Sequence, residues 1–96
     1  MALVFEVEHE RHADIVVFET DKEHRADLLV CEVDKDRYAK NDALWFFVDK
    51  ERYATIKIIW TDKEHKADLK VCFVDKEHKA KWRDENHELV NKLCGE

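Results

Sequence analysis

The sequence contains no serine, no glutamine and no proline, and its single glycine is Gly95. A loop that cradles phosphate needs several glycines at fixed spacing, so this class of nucleotide site is excluded. A serine nucleophile is excluded outright, because there is no serine to activate. These absences remove two large classes of enzyme from consideration.

Runs of lysine and arginine are also missing, and the formal net charge is −6. Nucleic acids are bound chiefly through neutralisation of their phosphates, so we expect no nucleic-acid partner. No apolar stretch approaches the length of a membrane span, and the stretch at residues 1–7 is too short for a signal peptide and meets Glu6 at once. We therefore expect a soluble, intracellular protein with no membrane partner.

Cysteine pairing is not indicated, because the three cysteines are odd in number and show no CxxC spacing: Cys31, Cys72 and Cys94. Cys31 and Cys72 occupy the same position in two apolar segments, where a free thiol behaves as a small buried hydrophobe. This usage is typical of a reducing cytoplasm. A pairing of either thiol with a histidine as nucleophile and base is the alternative, but the apolar setting favours a structural role. We predict no catalytic residue and no cofactor.

What the sequence does have is a repeat. An alanine recurs in steps of 13 residues, with one step of 15 in the middle: Ala13, Ala26, Ala39, Ala54, Ala67 and Ala80. An acidic residue stands five positions before each of these alanines. The clearest copy is the heptapeptide at residues 62–68, which is followed by the apolar segment 69–74. A repeat of this kind decides the architecture, and we treat residues 1–96 as one repeat-built domain.

The segments between the heptapeptides are six apolar hexamers, at residues 2–7, 15–20, 28–33, 43–48, 56–61 and 69–74. Their length and their content of Val, Ile, Phe and Trp predict β-strands. The connections lack the Asn-Gly of tight hairpins and instead indicate a single helical turn, which spans about 10 Å. Such a connection reaches a neighbouring strand but does not return along a strand of about 20 Å to start a parallel one.

The sequence therefore predicts an all-β fold of six short antiparallel strands joined by single helical turns. These strands form a barrel or two three-stranded sheets, with a small β-solenoid as the alternative. After Ala80 the repeat ends. Apolar residues at helical spacing after Asp84 predict one short C-terminal helix at about residues 83–94.

The fifth position of the hexamers changes character between the two halves of the sequence. It is Glu6, Glu19 and Glu32 in the first three, but Phe47, Trp60 and Phe73 in the last three. Three aromatic side chains together should not be left in water. We expect an interaction patch in which these aromatics are covered by the apolar stripe of the C-terminal helix, Leu89, Val90 and Leu93, or by a second copy of the chain in a homodimer.

The repeats include Ala26-Asp27, Ala67-Asp68 and the segments 41–48, 69–74 and 80–83. In these residues the sequence resembles a small bacterial tandem-repeat family of unknown function, in which 13-residue repeats carry Ala-Asp followed by a short apolar strand. The family usually has a Tyr and a Ser-Gln pair inside the heptapeptide, where this sequence has Lys-Glu-His, Lys-Asp-Arg or Lys-Glu-Arg. The resemblance implies an architecture and no activity.

Three copies of the heptapeptide contain a triplet of two carboxylates and an imidazole, which suit a divalent metal such as zinc or manganese. The nine residues are Asp21, Glu23, His24, Asp62, Glu64, His65, Asp75, Glu77 and His78. Repetition favours the simpler interpretation that they are exposed residues of a structural turn. We expect a non-catalytic interaction or structural module that binds an unidentified protein or itself, and keep divalent-metal or small-ligand binding by these loops as the alternative.

Overall fold

The structure is a computed structural model, and it describes residues 2–93. Within this range there are seven β-strands, six three-residue 3-10 turns and no α-helix. The strands are β1 Ala2–Glu6, β2 Ile15–Glu19, β3 Leu28–Glu32, β4 Leu44–Phe47, β5 Ile56–Thr61, β6 Leu69–Phe73 and β7 Lys81–Trp82. The turns are η1 Glu10–His12, η2 Glu23–Arg25, η3 Asp36–Tyr38, η4 Glu51–Tyr53, η5 Glu64–Lys66 and η6 Glu77–Lys79. The six hexamers thus form strands, and each heptapeptide contains one turn, as the sequence predicts.

The first six strands form a closed barrel in which every neighbouring pair is parallel. Their order is β4-β1-β5-β2-β6-β3, and β3 pairs with β4 to close the ring. The short β7 adds to β3 in the antiparallel direction. The predicted antiparallel arrangement is therefore wrong, and so is the alternative of a solenoid. The strands of the first half alternate around the barrel with those of the second half.

The parallel arrangement is possible because the strands are staggered. Ile58 of β5 lies opposite both Glu6, where β1 ends, and Ile15, where β2 begins. The connection from β1 to β2 therefore has no strand length to retrace. It moves only sideways past β5, a distance of about 10 Å for two strand spacings. A connection must return along a whole strand only when neighbouring strands lie at the same level, and the strands of this barrel do not.

The same stagger recurs around the barrel. Val71 of β6 lies opposite the last residue of β2, Glu19, and the first residue of β3, Leu28. Within each half of the chain, successive strands therefore take alternate places, and the chain winds around the barrel twice. The second winding places β4, β5 and β6 in the gaps left by β1, β2 and β3. Two separate three-stranded sheets are excluded by this interleaving.

In three connections, an Ala-Asp pair attaches the chain to the strand that it crosses. In the connection that follows η5, the backbone N–H of Asp68 donates to the Val16 carbonyl on β2 (2.8 Å), and its carboxylate accepts from the Val16 N–H (2.9 Å). Asp14 makes the same two bonds to Lys57 on β5, and Asp27 makes them to Lys70 on β6. Thr55 uses its hydroxyl for the equivalent contact with Leu3. The acidic residue after the alanine is thus a side-chain extension of the sheet.

Substituting Asp68 tests this role. Asp68→Ala should lower the free energy of unfolding by about 1 kcal/mol, since the Val16 N–H loses its acceptor. Asp68→Asn is the matched control, because its side-chain oxygen still accepts, and it should cost less than half as much. Urea unfolding followed by tryptophan fluorescence measures both values. Equal losses in the two variants would show that the negative charge, and not the hydrogen bond, is what matters.

The barrel interior is filled by the first and third residues of the hexamers. These side chains are all buried, and they form one cluster with Leu93: Ala2, Val4, Ile15, Val17, Leu28, Val30, Ala43, Trp45, Ile56, Ile58, Leu69 and Val71. Trp45 is the largest of them and is fully buried. Its indole N–H donates to the backbone carbonyl of Asp42 at 2.6 Å. The alternation of buried and less buried residues follows from the period of two along a strand.

The segment at residues 83–93 forms consecutive turns, so the predicted C-terminal helix is wrong over the described residues; its last predicted residue, Cys94, lies outside them. Asn91 has a positive φ of 68°, which a helix interior does not allow. The buried carboxylate of Asp42 accepts the backbone N–H groups of Asn91 and Leu93, which fixes this path. Leu93 then closes the end of the barrel at which the strands begin, and its carbonyl accepts from the Thr55 hydroxyl (3.0 Å).

Among residues 2–93 the structure contains no helix with the length and apolar character of a membrane span.

Candidate functional site

The opposite end of the barrel, where the strands end, carries an open recess of about 450 Å³. It is lined by the six residues at the fifth hexamer position, Glu6, Glu19, Glu32, Phe47, Trp60 and Phe73. Because the two halves of the chain interleave, glutamates and aromatics alternate around this end in the strand order. We call these six residues the rim.

The rim is level because of the stagger between strands. Each rim residue pairs with the third residue of the next strand: Glu6 with Ile58, and Trp60 with Val17. From each strand to its neighbour, the register shifts by two residues. Because the strands are also tilted, corresponding positions of the repeats lie at equal height around the barrel. The fifth position therefore forms one ring, directly above the ring of third positions in the core.

The three aromatic side chains of the rim close the core from this end. The ring of Phe73 lies 6.5 Å from that of Phe47 and 6.0 Å from that of Trp60, measured between centroids. Below them, the ring of the buried Trp45 forms T-shaped contacts with Phe47 and Phe73. The distances between ring centroids are 6.0 Å and 6.1 Å. These distances are typical of favourable aromatic contacts. All three rim aromatics remain half-buried, so parts of their rings are open to solvent.

The predicted interaction patch is thus divided between the two ends of the barrel. Phe47, Trp60 and Phe73 lie on the rim, whereas Leu93 is buried at the other end. Leu89 packs half-buried against the core, and Val90 is also half-buried. The aromatics are covered in part by one another and not by the C-terminal segment.

The rim glutamates are exposed, and they give this end of the molecule a negative charge. Glu6 on β1 accepts a hydrogen bond from the indole N–H of Trp60 on the neighbouring strand β5. Among residues 2–93, no salt bridge engages Glu6, Glu19 or Glu32. Three carboxylates around an aromatic floor form a surface that attracts cations, through ion pairing at the edge and through the faces of the rings.

The nine residues of the alternative metal site lie on the outer surface of the barrel and not in one place. Their three triplets lie in the connections that contain η2, η5 and η6. Glu64 forms a salt bridge with Lys70 (3.5 Å), while Asp75, Glu77 and His78 line a separate recess beside Cys31. The described part of the chain has no group of three or more His, Cys, Asp or Glu residues placed to hold a metal ion.

Both described cysteines are buried and unpaired. Burial raises the pKa of the Cys31 thiol, and the negative charges of Glu77 and Asp75 raise it further. Burial likewise raises the pKa of Cys72, with added effects from Glu23 and Asp21. Because the thiolate is the nucleophilic form, both shifts work against a catalytic role. Cys94 lies outside the described residues.

The sequence showed that the six rim residues share the fifth position of the hexamers, but the predicted patch included only the three aromatics among them. It showed a glutamate half and an aromatic half, which suggested two different surfaces. Only the interleaved strand order brings Glu6 next to Trp60 and Glu19 next to Phe73. The missing signal is the pairing of strands far apart in sequence, which a single sequence does not show.

Comparison with known families places most of this chain in one of them. A family described as the 7(1) septoil knot domain matches residues 1–83. No curated protein and no solved structure matches the chain. The family match covers all seven strands and ends as the C-terminal turns begin.

Proposed function

Because the chain belongs to the 7(1) septoil knot domain family, whose description names a fold and no activity, we propose that it is a non-catalytic interaction module. Its binding surface is the rim, and its ligand is a basic segment of a protein partner. The observation that carries this proposal is the alternation of three exposed carboxylates with three half-buried aromatics around one open recess.

A lysine or arginine side chain can contact both the glutamates and the aromatic rings of the rim. Its charge meets Glu6, Glu19 and Glu32 at the edge, and its flat or apolar part lies on the rings of Trp60 and Phe73. Contacts of a cation with an exposed ring contribute about 0.5–1 kcal/mol each. Exposed ion pairs contribute about 0.2–1 kcal/mol each. A single basic residue is therefore held weakly, and a partner needs several contacts to reach micromolar affinity.

A second copy of the chain is a poorer ligand for the rim than a basic protein. Each copy carries a formal net charge of −6, so two acidic surfaces would repel each other. We do not extend the proposal to divalent-metal binding by the loop histidines, since none of the described contacts favours it.

The rim proposal predicts binding of a hexa-arginine peptide and none of a hexa-glutamate peptide. Nuclear magnetic resonance titration, observed at the Trp60 indole N–H, measures this directly. The triple variant Glu6→Gln, Glu19→Gln and Glu32→Gln keeps the shape of the side chains and should lose about tenfold or more in affinity. Binding should also weaken as salt is raised, because exposed charges are screened.

The matched control for the rim carries the same change in charge elsewhere. Glu10→Gln, Glu85→Gln and Glu88→Gln alter three exposed glutamates that do not line the rim recess. This control should bind hexa-arginine within about twofold of the original protein, apart from the small effect of net charge. Equal losses of affinity in the two triple variants would show that hexa-arginine is attracted by the net charge of the protein and not by the rim. This result would overturn the proposal.

The compartment and the source belong to the same proposal. We propose a reducing, cytoplasmic location because Cys31 and Cys72 are free, buried thiols that need no oxidising environment. A bacterial source rests on the sequence resemblance alone.

A further inference from the structure

The order of residues around the rim defines a position at its centre. Each aromatic side chain stands between two carboxylates, and each carboxylate stands between two aromatics. In the strand order, and closing from β3 back to β4, the rim reads Phe47, Glu6, Trp60, Glu19, Phe73 and Glu32. This alternation repeats three times around the barrel axis, so a cation at the centre of the recess is surrounded by all three carboxylates and lies over all three aromatics.

The aromatic side chains form the floor of this central position. All three pack against the core and also line the recess. The ring planes are inclined by 41° between Phe47 and Phe73 and by 48° between Trp60 and Phe73, so the floor is a shallow bowl and not a flat stack. The faces of aromatic rings carry partial negative charge and attract cations, most strongly in tryptophan. The floor therefore attracts a cation without offering it a strong hydrogen-bond acceptor.

The carboxylates lie at the edge of the bowl, where they are exposed to water. Glu6 already accepts the indole N–H of Trp60. A lysine ammonium is strongly hydrated and carries three N–H donors. On the aromatic floor these donors lose water without gaining good acceptors, which is costly, so an unmodified lysine stays with one carboxylate at the edge. Trimethylation keeps the charge of lysine and removes all three donors, so this cost disappears.

We propose that the centre of the rim binds a quaternary ammonium group, carried by a trimethylated lysine in the basic partner segment; this proposal rests on the function proposed for the rim. The methyl groups lie on the bowl formed by Phe47, Trp60 and Phe73, and aromatic sites of this chemistry are the usual way in which proteins bind methylated ammonium groups. One such cation balances one of the three negative charges of the rim. Basic residues on either side of the trimethyllysine balance the other two, which favours a peptide segment over a free ammonium compound.

Three labelled peptides with the same flanking sequence test this proposal in fluorescence anisotropy titrations. Each has arginine on both sides of a central residue, which is lysine, trimethyllysine or the neutral analogue of trimethyllysine with carbon in place of the ammonium nitrogen. On the unchanged protein we expect the trimethyllysine peptide to bind at least about fivefold more tightly than either of the others. The lysine peptide matches its charge, and the neutral analogue matches its shape. The two comparisons therefore separate the effect of the methyl groups from the effect of the charge.

Trp60→Leu should abolish the preference for trimethyllysine over lysine, because leucine keeps an apolar side chain but has no aromatic face. Trp82→Leu is the matched control. Trp82 is also half-buried, but it belongs to β7 and lines a different recess, beside Asn41 and Asn91. This control should keep the preference, and circular dichroism checks that both variants fold. Loss of the preference in both variants would contradict its origin at the rim.

The remaining outcomes separate this proposal from the function proposed for the rim. If hexa-arginine binds but the lysine and trimethyllysine peptides bind equally well, the quaternary ammonium site is overturned and the rim stands as a surface for basic segments. Equal binding of the neutral analogue would show that apolar contact is recognised and not the cation, and would also overturn it. If neither hexa-arginine nor the trimethyllysine peptide binds, both proposals fail.

Choline tests whether a free small molecule is the better ligand. It carries the same trimethylated ammonium but lacks the flanking arginines, so it should bind at least about tenfold more weakly than the trimethyllysine peptide. Equal affinities of choline and the peptide would overturn the assignment of the ammonium group to a protein segment.

Discussion

Trp45→Ala should lower the free energy of unfolding by about 3–5 kcal/mol, the range for removal of a large buried aromatic side chain. Trp45 is fully buried, and its ring contacts two rim aromatics, Phe47 and Phe73, from below. Its removal leaves a cavity in the middle of the barrel and deprives the Asp42 carbonyl of a donor. A small domain is stabilised by only about 5–15 kcal/mol, so this single loss is a large fraction of the total.

Two further tryptophan variants calibrate this effect. Trp45→Phe keeps most of the packing and loses the hydrogen bond, so it should cost much less than Trp45→Ala. Trp60→Ala removes a half-buried indole at the rim and should also cost less. Urea unfolding monitored by circular dichroism compares the three variants without relying on the altered fluorophores. A loss below about 1 kcal/mol for Trp45→Ala would contradict the placement of Trp45 at the centre of the core.

The sequence predicted the strands and the core residues of this fold, but not the relative direction of neighbouring strands. The apolar hexamers became strands, and their first and third residues became the core, because alternation along a strand is a local property. The parallel arrangement depends on Ile58 facing both the end of β1 and the start of β2. This stagger is a relation between segments about 50 residues apart, and no local pattern in either segment specifies it.

The sequence did not predict the arrangement of the rim or the path of the C-terminal segment, and the two failures have related physical causes. The sequence shows that the fifth position changes from glutamate, as at Glu32, to an aromatic residue, as at Phe47. Whether these residues form two surfaces or one ring depends on the order of the strands in the barrel. Leu89, Val90 and Leu93 have helical spacing, yet the buried carboxylate of Asp42 binds the backbone of this segment in a turn conformation. In both cases a tertiary contact overrides the local pattern. Asp42, which provides this contact, lies in the longer 15-residue step between Ala39 and Ala54.

Asp42→Ala should therefore be among the most destabilising substitutions at a polar position in this chain. The carboxylate is buried and accepts three N–H groups, from the Trp82 indole (3.1 Å) and from the backbones of Asn91 and Leu93. Hydrogen bonds to a charged group contribute about 1.5–3 kcal/mol each, although losses that share one acceptor do not add fully. We expect a loss of about 3 kcal/mol, measured by urea unfolding.

The effect of Asp42→Ala in the full chain and in a shortened chain shows whether Asp42 acts through the C-terminal segment. In the full chain, Asp42→Ala should release residues 83–93, which limited proteolysis detects as early cleavage there while the barrel stays intact. In a chain that ends at Trp82, the same substitution should cost less than half as much, because the Asn91 and Leu93 donors are gone. Asp84→Ala is the control. Among residues 2–93 this exposed carboxylate accepts only from the Asn86 backbone (3.2 Å), so its loss should cost less than about 1 kcal/mol. An equal cost of Asp42→Ala in the full and shortened chains would show that Asp42 stabilises the barrel directly and that the C-terminal segment closes it by the burial of Leu93 alone.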